Sequence, residues 1–262
     1  MAKAAEESKE LVNTGSSNAP VFLQERINEV EGMGNSLNAQ DNTTPFLAIL
    51  QNNSPQLEEN KPEYVEGAKK GMLFNTATKQ LWEGKTGVEI IAFGFLHVFN
   101  EWIPRKQGGG FVATYDMNDP IRNQAKPREE DGKKRGLMLP NGNDLVETAY
   151  TGILFTDSPM PAILAATSTG LKPMRDWMTL RNNTLINGRP APSFARKYLV
   201  QTVYQENEAG SWYNWKISAG DWVSQEQFDR AFKFADLMAK GEFQIGRPPE
   251  PINEDSKDDV PI

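Results

Sequence analysis

Two groups of side chains in this sequence combine flat aromatic faces with positive charge. Trp82, Phe93, Phe95, Phe99, Trp102, Phe111 and Tyr115 lie among Lys79, Lys85, Arg105 and Lys106. Trp177, Tyr198, Tyr204, Trp212, Tyr213 and Trp215 lie among Arg175, Arg181, Arg196 and Lys197. Any base can stack on an aromatic face, at roughly 1–3 kcal/mol per base, and Lys or Arg can follow a phosphate backbone. Binding a single strand without regard to its sequence needs this mixture. The competing use of the same rings is a hydrophobic core. Alternation in Trp212-Tyr213-Asn214-Trp215 puts Trp212 on one face and Tyr213 and Trp215 on the other. Both faces cannot be the inside of one barrel unless helices cover the outside. The residues expected to touch a strand are Trp102, Arg105, Lys106, Phe111, Arg181, Lys197 and Trp215. Aromatics would stack on bases and cations would neutralise phosphate.

Other chemistries find weaker patterns. Gly84-Lys85-Thr86 looks like the end of a phosphate-binding loop, but that motif needs a glycine where Lys79 stands, and a helix after it where strand-like sequence follows. Gly108, Gly110 and Ala113 fit dinucleotide-binding spacing, yet Phe111-Val112-Ala113-Thr114-Tyr115 reads as a short strand rather than a helix. Cysteine is absent, which excludes disulfides, thiolate zinc sites and cysteine nucleophiles and suits a reducing compartment. His97 is the single histidine, so a zinc site would need carboxylates for its other ligands, and a serine–histidine triad would have to use a mid-strand residue. Glu89, Glu101, Asp116, Asp119, Asp144 and Glu147 could serve a two-metal nuclease, but no spacing singles out a cluster. No catalytic residue, metal or cofactor is expected.

The net charge of −7 argues at first against a polyanionic partner, but the charge is unevenly placed. Residues 1–44 hold 3 Lys/Arg and 7 Asp/Glu, a net of −4; residues 248–262 hold 1 and 5, again −4; residues 45–247 hold 24 and 23, a net of +1. Within the body, residues 165–205 hold six cations (Lys172, Arg175, Arg181, Arg189, Arg196 and Lys197) against Asp176, a net of +5. A basic stretch inside an acidic protein can still make a phosphate-binding face. The longest apolar stretch, Val88 to Ile103, is too short to span a bilayer and is interrupted by Glu89, His97, Asn100 and Glu101. No apolar segment of a secretory leader follows Met1 to Leu11. A soluble protein of the cytoplasm, without a membrane partner, is the expectation.

The elements that would hold the candidate residues follow from hydrophobic pattern. Residues 1–44 show no sustained period and are expected to form an extended or disordered arm. Val88 to Ile103 reads as one long strand, apolar on both faces, with Gly94 as a possible bulge. One face would pack a core and the other could bind. Pro104 to Gly142 is polar, glycine-bearing and carries eight Lys/Arg, and reads as a long functional or mobile loop. Leu145 to Thr156 and Ala162 to Thr167 form a hairpin about Asp157-Ser158-Pro159. Ser168 or Thr169 would cap a helix carrying Leu171, Met174, Trp177, Met178 and Leu185. Tyr198 to Gln205 and Trp212 to Ile217 are two further strands. Ser224 and Gln227 make a capping box for a last helix that would bury Phe228, Phe232, Ala235 and Leu237 and end at Gly241. Five strands with a helix after the third match an OB-type barrel, so the class is mainly β with helices (α+β), with a C-terminal helix and flexible termini. The expected domain is residues 45–247, and 248–262, with four prolines and five acids, is a disordered acidic tail.

The tail closes with Asp258-Asp259-Val260-Pro261-Ile262. An acidic run with a short apolar tip is a peptide that a basic, grooved partner can hold. It resembles the tip of bacterial single-stranded DNA-binding proteins, Asp-Asp-Ile-Pro-Phe, with Ile262 in place of the terminal Phe. The body instead is similar to a family of phage proteins labelled as single-stranded DNA-binding. The likeness runs through Thr44-Pro45-Phe46-Leu47, Ser54-Pro55, Gly71-Met72-Leu73-Phe74-Asn75-Thr76, Glu101-Trp102-Ile103-Pro104-Arg105, Gly108-Gly109-Gly110-Phe111-Val112, Leu139-Pro140-Asn141-Gly142 and Leu145-Val146-Glu147-Thr148. The resemblance covers roughly residues 44 to 200. It implies an OB-like core, non-catalytic and cooperative coating of single strands, and a tail that recruits replication or recombination proteins. Two alternatives remain open: a phage virion or assembly protein without a nucleic-acid role, and a metal-dependent DNA-processing enzyme.

Overall fold

The computed structural model describes residues 44–243 and 245, apart from 131, 132, 159 and 209; at 130 and 133–135 it describes the backbone alone. The arm expected before Thr44 and the tail expected over 248–262 lie outside the described residues. Thirteen strands run β1 (Phe46–Ile49), β2 (Leu73–Asn75), β3 (Leu81–Trp82), β4 (Val88–Trp102), β5 (Phe111–Asp116), β6 (Lys126–Glu130), β7 (Lys133–Met138), β8 (Asp144–Phe155), β9 (Pro161–Thr167), β10 (Leu185–Ile186), β11 (Arg189–Pro190), β12 (Arg196–Asn207) and β13 (Gly210–Trp222). Among the described residues three α-helices accompany them: α1 (Ile121–Gln124), α2 (Leu171–Asn182) and α3 (Gln225–Ala239). The class is mainly β with a few helices, as expected. The five-stranded barrel is corrected: eleven strands share one sheet that curls into a half-barrel, in the order β13-β12-β4-β8-β9-β1-β2-β3, with β5, β6 and β7 attached beside that path. Among the described residues only β1 against β9 is parallel.

The long apolar strand organises everything else. β4 pairs with β8 from Ile90 opposite Phe155 to Trp102 opposite Asp144. The register shifts between Ala92 and Gly94, which is the bulge expected at that glycine. An extra residue there moves later side chains to the other face. Before it, Val88, Ile90 and Ala92 pack with α2 residues Leu171, Met174 and Trp177, while Ile91 and Phe93 pack towards α3. After it, Phe95 joins the α2 side and Val98 the opposite one. Both faces are apolar because each carries a helix, so the second face is not an open binding face. Gly94 and Gly152 lie opposite one another. A Cβ on Gly94 would sit 2.1 Å from the Met238 sulfur of α3, and one on Gly152 would sit 2.3 Å from the Phe93 ring. Two facing glycines thus let the aromatic ring and the helix lie directly on the backbone.

β4 and β8 are longer than the sheet around them, and the sheet forks where they emerge. Along one edge of β4, β12 pairs with residues 88–91, and β5 takes over from Val98 to Trp102. Along the outer edge of β8, β9 pairs with Thr148 to Leu154, and β7 takes over at Asp144 and Leu145. The result is an antiparallel wing, β5-β4-β8-β7-β6. Its core is Phe99, Leu139 and Leu145, with Tyr115, Met117, Ile121, Ala125 and Leu137 against them. The segment expected as a long polar loop is therefore mostly folded. Its polarity belongs to the outer positions of short strands: along β5, half-buried and exposed residues alternate from Phe111 to Asp116.

Other boundaries moved for local reasons. α2 ends at Asn182, and Leu185 lies exposed in the separate β10–β11 hairpin. Its N-cap is Gly170, with no side-chain cap; Ser168 and Thr169 form a preceding 3-10 turn. The capping box of Ser224 and Gln227 is present. α3 turns a different face inward than its spacing suggested. Ala231, Phe234, Ala235 and Met238 face the sheet, whereas Phe232 and Leu237 are exposed.

Candidate nucleic-acid interface

Four of the seven candidate residues meet at the outer end of the wing. Trp102 and Phe111 are cross-strand partners at the mouth of the β4–β5 hairpin, their rings edge to face at 5.5 Å. Trp102 is buried, 4% exposed, and Phe111 is half-buried. Beyond them Ile103 N donates to Gly110 O, and Arg105, Lys106 and Gln107 form a 3-10 turn closed by Gly108 at φ +103°. Arg105 and Lys106 stand exposed on that turn. Among the described side chains the wing carries two more exposed cations, Arg122 and Lys126.

The tip is mounted on a buried carboxylate. Glu101, 4% exposed, accepts hydrogen bonds from the Tyr115 hydroxyl at 2.6 Å and from the amides of Asn141 at 2.8 Å and Asn143 at 2.5 Å. Burial alone would raise its pKa; the bonds from Tyr115, Asn143 and Asn141 together outweigh burial and hold it below the usual value. Asn141 and Asn143 lie in the turn between β7 and β8, so one carboxylate ties two neighbouring hairpin tips together. On the opposite face Asn100 donates to Thr148 at 3.0 Å and Tyr150 at 2.7 Å, and accepts from Thr114 at 2.8 Å. Polar groups buried and satisfied in this way fix register.

The other three candidates lie far from that tip. Lys197 is opposite Ile91, eleven residues before Trp102 along β4, roughly 36 Å of extended strand. Its ammonium is 3.7 Å from Glu89. Arg181, in the last turn of α2, is 7% exposed, with its guanidinium 5.5 Å from the centre of the Trp177 ring and one nitrogen 3.2 Å from the Met178 sulfur. Burial pushes its pKa down, opposed by Tyr198. Trp215 is 7% exposed and belongs to the main core. As placed, Trp102 and Trp215 offer no open face to a base. Tyr213 and Trp215 do share a face, as alternation required.

Among the described residues the most exposed rings are others, outside the seven expected contacts. Trp222 and Tyr204 are each 51% exposed and Phe232 is 55% exposed. Arg196 lies over Trp222 at 5.0 Å, held there by two hydrogen bonds to Gly220 O at 3.1 and 2.6 Å. The available signal was position: Trp222 ends its strand two residues before the Ser224 cap, where the chain turns out of the sheet.

The carboxylates do not converge. Glu89 faces Lys197, Asp144 pairs with Arg128 at 2.6 Å, and Glu147 meets His97 at 3.0 Å and Arg175 at 3.6 Å. Asp119 accepts from the backbone of Ile121. Among the described residues no three metal-ligating side chains gather, and no helix is long and apolar enough to cross a membrane.

Fold and tip together define a mainly β protein on one forked, curled sheet, with a cationic hairpin at the end of its wing. The chain belongs to the Pam3 phage gp34-like protein family, whose model matches residues 12–244. The likeness to phage proteins is thereby established at the level of the family. No curated protein and no solved structure matches the chain.

Proposed function

We propose that the chain is a sequence-tolerant single-stranded DNA-binding protein of phage replication or recombination, acting in the host cytoplasm. The observation that carries this reading is the exposed Arg105–Lys106 turn beside Phe111, mounted on the Glu101 network. Residues 103–143 hold 8 Lys/Arg and 5 Asp/Glu, a net of +3 in a chain of −7. An OB-type barrel holds single strands with sheet faces and hairpin loops at its rim, and the β4–β5 hairpin stands in a like position on this larger sheet. Arg105, Lys106, Arg122 and Lys126 follow phosphates, and Phe111 takes a base. In this reading the tip Asp258-Asp259-Val260-Pro261-Ile262 recruits replication or recombination proteins.

The test is fluorescence anisotropy of a labelled oligo-dT of about 30 nucleotides, with a duplex of equal length alongside. Tight, salt-sensitive binding to the single strand and weak binding to the duplex are expected. For single strands the log–log salt slope is about −0.7 per phosphate contact, so the pair Arg105→Ala and Lys106→Ala should flatten it by about 1.4. An unchanged slope removes the tip from the interface. Two observations favour a virion or assembly protein instead: helices cover both faces of the central sheet, and residues 45–247 carry only +1. No binding at low salt, by the full chain and by residues 1–247 alike, would decide for that second reading.

A further inference from the structure

β13 is the last strand of the sheet, so one of its edges meets no further strand among the described residues. Thirteen residues of open edge invite pairing with other chains unless something blocks it. Here the blocking is partial. In the β12–β13 ladder Asn207 is opposite Gly210 across a two-residue turn. Alternation then points the backbone N–H and C=O of residues 211, 213, 215, 217 and 219 away from β12. Side chains fill the first of these positions. Asn52 donates to Ser211 O at 3.1 Å. Gln51 donates to Tyr213 O at 2.7 Å and accepts from Tyr213 N at 2.9 Å, as a neighbouring strand would. Asn214 accepts from Trp215 N at 2.8 Å. The capping stops there. Among the described residues nothing takes the outward groups of Ile217 and Ala219, and a bulge beyond Ala219 ends the regular edge.

We propose that this open stretch is where a second copy of the chain docks, β13 against β13 in antiparallel order about a two-fold axis through Ser218. In that register Ile217 is opposite the partner's Ala219, and Ala219 opposite the partner's Ile217. The two narrow pairs use the four outward groups of Ile217 and Ala219 on each chain, forming four hydrogen bonds between chains. Ser218 is opposite the partner's Ser218, where two hydroxyls can bond to one another. Lys216 is opposite the partner's Gly220, so no lysine meets a lysine. A strand of unrelated sequence would gain the same backbone bonds, but the two-fold register suits this strand's own side chains and keeps its charges apart. The Gln51 cap sets the limit of the pairing at one end and the bulge at the other. The sheet becomes continuous from β12 of one copy to β12 of the next.

The absence of cysteine makes the test direct. Facing residues of a non-hydrogen-bonded antiparallel pair have Cα atoms about 4.5 Å apart, within the range a disulfide spans. Ser218→Cys on the full chain, oxidised mildly, should give a disulfide-linked dimer on non-reducing gels, and Ser211→Cys on the capped stretch should not. Light scattering of the untouched chain should give twice the chain mass. Ser218→Lys, which sets two ammonium groups face to face, should halve that mass while leaving circular dichroism and the melting transition unchanged. Equal cross-linking at 211 and 218, none at 218, or a Ser218→Lys chain that stays dimeric would each overturn the proposal. None of these measurements uses nucleic acid, so the result stands whatever the oligonucleotide titration gives.

Discussion

At the residue scale the buried polar groups of β4 and β8 control the response to pH. Burial pushes the Tyr150 hydroxyl up to about 12, and the Asn100 hydrogen bond only partly opposes it. A displacement from 10 to about 12 corresponds to about 2.7 kcal/mol. Because the folded pKa is the higher one, this stability is fully present below pH 10 and is lost as pH rises from 10 through about 12. Tyr115, raised chiefly by its bond to Glu101, and Tyr198, raised by burial, act in the same direction. Tyr150→Phe should lose about 1 kcal/mol at pH 7, the Asn100 bond, and then fall less steeply than the parent between pH 10 and 12. Urea titrations at pH 7, 10 and 11.5 would show the two stabilities converging; parallel curves would mean that the phenol does not report burial. This is the scale at which the sequence says least about which rings are open. Trp102 and Trp215 stand out in the sequence for their rings, and the same apolar area that makes an indole a good stacking surface makes it more valuable inside a core. Arg105 and Lys106 stayed outside because a turn, unlike a strand interior, leaves long cations in water.

At the element scale the pattern of β4 was legible as a single long strand, bulge included, because β-branched and aromatic residues fill it without a break. Its helix cover was not. Apolar residues on both faces state that both are buried, but not by what, and α3 announces itself only through the Ser224 capping box. Short strands such as Leu73–Asn75 and Leu81–Trp82 carry too few residues for any period to emerge; the first forms because β1 is there to pair with, and the second because the first is. The wing was hidden for a related reason: strands with one wet face read as polar loop. What joins the wing to the main sheet is the β4–β8 ladder, and its least yielding packing lies at Gly152, where the neighbour is a ring rather than a flexible thioether. Gly152→Ala places a methyl against a phenyl ring wedged between two strands and a helix, which cannot swing aside as a thioether can. Overpacking of this kind costs about 1–3 kcal/mol, so the melting transition should fall clearly. Gly94→Ala, which meets the flexible end of Met238, should fall less. Equal losses at the two positions would show that Met238 is as fixed as the ring.

At the scale of the whole molecule the dominant fact is where the charge sits. The body is close to neutral and the wing positive, while residues 248–262 carry −4. Removing those residues changes the net charge from −7 to −3, since −7 minus −4 is −3. If a single strand is held at the Arg105–Lys106 tip, the acidic segment repels it and competes with it for the same cations. Both effects are electrostatic and both are screened, with a Debye length of about 10 Å at 0.1 M salt and about 3 Å at 1 M. Residues 1–247 should therefore bind oligo-dT several-fold more tightly than the full chain at 50 mM salt. The advantage should shrink steadily as salt rises and vanish towards 1 M. A gain that persists at high salt would point to physical occlusion of the site by the segment rather than to charge. No gain at any salt, while the full chain binds, would leave the acid at the chain's end with no part in binding and would place the strand on a surface the segment does not reach.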